Sequence, residues 1–126
     1  MIHAGVAAFN AGDVDACVAL LAPEFVMNLA ELPEPIRGRD AWRAGFLLMK
    51  EAFPDLQIRI EDLVAAGDRV AARLTLEGTH AGEYLGFPAT GRRVSYVSHE
   101  FYRVVDGLIA EEWICSESTS LFRQLG

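Results

Sequence analysis

Residues 94–117 read VSYVSHEFYRVVDGLIAEEWICSE, and the Asp106-Gly107 pair inside them decides how the fold is read. Asp-Gly between two runs rich in β-branched and aromatic residues marks a two-residue hairpin turn, whose central positions both need positive φ. A two-residue turn pins the register of its strands. Val105 then pairs with Leu108, Arg103 with Ala110, Phe101 with Glu112 and His99 with Ile114. The other face pairs Val104 with Ile109, Tyr102 with Glu111, Glu100 with Trp113, Ser98 with Cys115 and Tyr96 with Glu117. This second face mixes aromatic rings with carboxyl and hydroxyl groups. A plain core has no use for those groups, whereas a pocket wall does. One β-bulge would turn a strand over.

Outward from the hairpin, the alternation continues upstream. Leu56, Ile58 and Ile60 alternate with Gln57, Arg59 and Glu61, and Gly67-Asp68 makes a turn. Val70, Ala72, Leu74 and Leu76 then alternate with Ala71, Arg73, Thr75 and Glu77, which carries His80 onto the apolar side. Residues 81–91 are aperiodic and Gly-rich. Before these strands the period is helical. Trp42, Phe46, Met49 and Phe53 form an apolar stripe on a helix over about 41–53, capped by Asp40 and closed by Phe53-Pro54. Residues 2–10 suit a first helix. Asp13 caps a second that runs through Leu21 and stops at Pro23. Residues 24–30 suit a short strand, 31–38 a loop and 118–125 a last helix. Helices followed by a meander of four long strands indicate an α+β fold. The expected shape is a cone-shaped roll: a curved antiparallel sheet with the N-terminal helices packed on its concave face. The open mouth of such a cone is a natural small-ligand pocket.

The chain has 126 residues, enough for one domain, and 52% of them are hydrophobic, enough for a core without disulfides. A net charge of −7 with scattered Lys and Arg argues against nucleic acid and against anionic membrane surfaces. No segment reaches the length of a membrane span and no signal peptide is visible at the N-terminus. Cys17 and Cys115 have no CxxC spacing, which suits free thiols in a reducing cytoplasm. His3, His80 and His99 lack metal-ligand spacing, and the 82–91 stretch lacks a phosphate-loop pattern, so neither metal nor nucleotide cofactor is expected.

Several stretches together resemble the SnoaL-like polyketide cyclases of the nuclear-transport-factor-2-like superfamily. They are AFNAGDVDA (8–16), FPDL (53–56), GTHAGEYLGFPATGRRV (78–94), FYRVVDGLIAEEW (101–113) and SLFRQLG (120–126). The resemblance implies the cone fold and intramolecular aldol ring closure of a polyketide ester without metal or cofactor. It also implies a homodimer or homotetramer, and a first helix that usually begins a turn or two earlier than here. The family acid/base is an aspartate four residues after the tryptophan ending the fourth long strand. Counted from Trp113 that position is Glu117, with glutamate in place of aspartate. Asn28 and His80 match the family's polar positions.

Glu117 is therefore expected to be the acid/base, projecting into the cone, with the bland alternative of a solvated acid capping the last helix. His80 is expected to assist by hydrogen-bonding a substrate carbonyl, or else to bond a neighbouring backbone group. Asn28 and Glu100 are candidate polar contacts to the ligand, and two carboxyls in one pocket would divide into an acid and a base. Trp113, Tyr96, Trp42, Phe46 and Met49 are candidate wall residues, although an aromatic stripe also suits plain core. The expected ligand is a small, largely apolar carbonyl compound. Isomerisation, dehydration or epoxide hydrolysis in the same cone remain alternatives, as does a non-catalytic binding module.

Overall fold

Apolar side chains at every second position build long strands, and in the computed structural model, which describes residues 1–126, these strands join one six-stranded sheet. The chain runs α1 (Ile2–Asn10), α2 (Val14–Val18), β1 (Leu21–Leu29), β2 (Ile36–Arg37), α3 (Arg39–Ala52), β3 (Gln57–Ala66), β4 (Arg69–Thr79), β5 (Arg93–Val105), β6 (Leu108–Ser116) and α4 (Ser118–Leu125). The strand order is β2-β1-β6-β5-β4-β3. Asp106 and Gly107 take φ values of 51° and 77°, as a tight hairpin turn between β5 and β6 requires.

The expectation of an antiparallel sheet holds for every pair except β1 and β6, which run parallel. Parallel neighbours need a long crossover, and everything from β2 through β5 supplies it. Two boundaries also move. The N-cap of α3 is Gly38 rather than Asp40, which sits in the first turn instead. Pro23, expected only to stop a helix, lies inside β1 where the register with β6 shifts.

The inner face of the sheet carries the core. Phe25, Phe53, Leu56 and Val94 are almost completely buried, and Leu74, Leu76, Tyr96, Tyr102 and Ile109 join them. The helices are tied to the sheet by polar clamps. The Asn10 side chain donates to Ile58 O (2.9 Å) and accepts from Ile58 N (2.7 Å), satisfying the free edge of β3. Arg39 donates twice to Leu21 O, at 3.0 and 2.7 Å. At the far end of α3, the backbone N–H groups of Ala81 and Gly82 both donate to Ala52 O at 3.0 Å. This seats the 81–91 connection against the helix.

Candidate active site

Between the inner face of the sheet and the helices lies a cavity of about 520 Å³. Trp42, Phe46 and Met49 of α3 line it, and Trp42 stacks on Phe46 at 5.7 Å between ring centroids. Tyr96 lines it from β5, and Met27 and Leu29 from β1. Most of the lining is apolar, and no lysine, arginine or histidine reaches it.

Beside Glu31, Glu83 and Ser118, the polar part of the lining is a cluster on β5 and β6: Ser98, Glu100, Tyr102, Glu112 and Ser116. Its geometry follows from one irregularity. Val104 pairs with Ile109, but Arg103 pairs with Glu111 and Tyr102 with Glu112, so Ala110 is an extra residue in β6. Such a bulge displaces every later side chain of its strand by one position. The inward members of β5 stay as the turn dictates, while β6 turns Glu112, Ile114 and Ser116 inward instead of Glu111, Trp113, Cys115 and Glu117.

Within the cluster, Tyr102 Oη donates to Glu100 Oε1 at 2.5 Å and Ser98 Oγ donates to Glu100 Oε2 at 2.8 Å. Ser116 Oγ lies 3.0 Å from Ser98 Oγ. Glu112 is buried, only 7% exposed, and its carboxyl is hydrogen-bonded to that of Glu100. Burial above all pushes its pKa well above the usual carboxylate range, and the charge of Glu100 and the hydrogen bond between them push the same way. Two carboxyls this close resist ionising together, and Glu112 is the one whose affinity for a proton is raised. Burial likewise pushes the Tyr102 phenol up, with help from Glu100 and Glu112, so it stays a donor. The Tyr96 phenol is raised by burial, then by Tyr84 and Glu100.

Four expected site residues lie elsewhere. Glu117 does not project inward. It is exposed at the start of α4, and Oε1 accepts from Val97 N at 2.8 Å. The bulge is the physical reason, since it turns position 117 away from the cavity. Trp113 is on the outer face for the same reason, beneath the Arg69 guanidinium at 5.3 Å. Asn28 pairs with Trp113 on that outer face and donates to Glu111 Oε2 (2.9 Å) and Glu112 O (3.2 Å). His80 is fully buried beyond the end of β4, outside the cavity lining. Its Nδ1 accepts from Thr90 N at 3.2 Å and lies 2.9 Å from Thr90 Oγ1, and its ring packs 5.5 Å from that of Phe53. Nε2 has no hydrogen-bond partner. Glu100, Tyr96, Trp42, Phe46 and Met49 do meet at the cavity. Sequence reasoning missed Glu112 as an inward group. The available signal was the Glu111-Glu112 doublet, of which strand alternation sends one inward and the bulge decides which. No three His, Cys, Asp or Glu side chains sit where they could share a metal ion.

The sequence profile of the SnoaL-like polyketide cyclases matches residues 1–125. The aklanonic acid methyl ester cyclase DauD of a Streptomyces species (strain C5) is 32% identical, covering 100% of this chain and 80% of its own. Among solved structures, AclR of Streptomyces galilaeus, described as a candidate hydroxylase, superposes with a TM-score of 0.90 at 32% identity. It covers 99% of this chain and 92% of its own. IdmH of Streptomyces antibioticus gives 0.86 at 35% identity, covering 99% and 95%. Sequence and three-dimensional likeness both run nearly from end to end, and the chain belongs to the SnoaL-like polyketide cyclase family.

Proposed function

We propose that this protein closes a ring in a polyketide-like carbonyl compound by an intramolecular aldol reaction, with Glu100 and Glu112 as its acid/base pair. The observation that carries this reading is a buried Glu112 beside Glu100, its carboxyl pushed toward the protonated form, in a largely apolar cavity. The Glu100 carboxylate, held by Ser98 and Tyr102, takes a proton from a carbon flanked by two carbonyls. The resulting enolate attacks a second carbonyl, forming one C–C bond, and Glu112 protonates the new alkoxide. The proton on Glu100 then returns to Glu112 through their hydrogen bond, so the cycle ends as it began. The substrate class follows DauD, an aklanonic acid methyl ester cyclase, by similarity: a neutral methyl ester suits a cavity lined by carboxyls and by no lysine, arginine or histidine.

The test is incubation with such a methyl ester, read as an isomer of unchanged mass with one ring more. Glu100→Gln should lower turnover by about 10²–10⁴-fold with the fold retained, while Glu117→Gln should stay close to the parent. Should Glu117→Gln be the inactive variant and Glu100→Gln the active one, the assignment of the pair fails.

Two further parts of the reading concern the whole molecule. A homodimer would form through the outer face of the sheet, where Val64, Ala71, Phe101 and Trp113 lie in one row across four strands. Val64 and Phe101 are 64% and 55% exposed there. Cytoplasmic location fits Cys17 and Cys115, which are both unpaired. No helix is long and apolar enough to cross a membrane.

A further inference from the structure

The 81–91 connection contains a second tight hairpin turn. Tyr84 N donates to Phe87 O at 3.0 Å and Phe87 N to Tyr84 O at 2.9 Å, so Leu85 and Gly86 are the two turn residues. Both have positive φ, 47° and 89°. Such a turn favours asparagine, aspartate or glycine at its first position. A leucine there is strained and gains no burial to offset it, since it is 69% exposed. The tip is nevertheless firmly held, because Tyr84 packs on Phe53 at 5.2 Å and Phe87 on Phe122 at 5.6 Å. Strain kept at an anchored position marks a side chain whose place matters.

That place is the cavity opening. Leu85 lines the cavity although it is mostly exposed, and so do Leu48 of α3 (65% exposed) and Leu32 of the β1–β2 connection (46% exposed). Three leucines from three separate segments thus stand in solvent around one entrance. Glu112, Tyr102 and Ser98 lie at the buried end. A ligand with its reacting carbonyl against Glu112 and an apolar portion longer than the cavity would bring that portion out between the leucines.

We infer that Leu32, Leu48 and Leu85 form an apolar lip that grips the outer part of an elongated substrate. The chain therefore selects carbonyl compounds with an apolar extension beyond the reacting end. This rests on the reading of the cavity as the substrate site.

The probe is a homologous series of alkyl 2-naphthyl ketones, with chains short enough to be enclosed or long enough to emerge, titrated against the whole protein. Leu85→Asn and Leu48→Ser should each weaken the long ketones about three- to tenfold, the size expected for removing part of a leucine's contact area, and leave the short ones unchanged. Leu85→Asn should also melt no lower than the parent, because it relieves the turn. Long-chain affinity within twofold of the parent in both variants would overturn the lip while leaving the cavity reading intact. Failure of every ketone to bind the parent protein would overturn both. A change of oligomeric state in the variants without a change in ketone affinity would assign the leucines to a protein contact, and would likewise overturn the lip.

Discussion

Glu112 is a carboxylic acid where the chain could have placed an amide, and its proton ties stability to pH. In the unfolded chain it ionises in the ordinary carboxylate range, whereas in the fold burial and Glu100 hold the proton on. A group whose folded pKa is raised contributes its stability fully at low pH, and loses it as pH climbs from the unfolded value to the folded one. Within that window this side chain costs about 1.4 kcal/mol per pH unit. Glu112→Gln keeps a donor for Glu100 and cannot ionise, so denaturant melts from pH 5 to pH 8 should show a flatter loss than the parent. Parallel curves would mean that Glu112 is not protonated in the fold. At this scale the inward face of β5 was legible, because Tyr96, Ser98, Glu100 and Tyr102 follow from the Asp-Gly turn and a period of two. The face of each residue in β6 was not. Glu111 and Glu112 are chemically identical neighbours, and only the pairing geometry tells them apart.

The elements were more legible than their contacts. Apolar periodicity marks α3 and β3 to β6, because burial of one face is a local property of sequence. The Ala110 bulge carries no such mark: alanine packs almost anywhere, and its burial at 4% exposure emerges only in three dimensions. The parallel pairing of β1 with β6 joins residues more than eighty positions apart, beyond any local pattern. The connection at 81–91 read as aperiodic, yet it is held closely to α3. A Cβ on Gly82 would collide with the carbonyl oxygen of Glu51. Because that atom is backbone, Gly82→Ala must push the connection away from the helix, at a cost of roughly 1–3 kcal/mol. The check is a thermal melt, with Gly86→Ala less informative because its positive φ adds a separate penalty.

Over the whole molecule, the sheet separates two surfaces of different character. The inner one is concave and apolar around a carboxyl pair. The outer one carries the Val64–Ala71–Phe101–Trp113 row among charged groups, including the Arg103–Glu111 pair at 3.3 Å. If that row is a contact between two copies, Phe101→Glu should shift sedimentation from dimer to monomer while the cavity keeps its ligand affinity; an unchanged dimer would move the contact elsewhere. The adjacency of β1 and β6 bears on how the molecule comes into being. The strand carrying Glu112 is the last to be synthesised, and it fills the slot between the first strand and the rest of the sheet. Until it arrives, β1 has only the two-residue β2 beside it and the apolar lining stands open to solvent. A nascent chain is thus exposed to aggregation until its final strand clears the ribosome, and contacts of such long sequence separation form slowly.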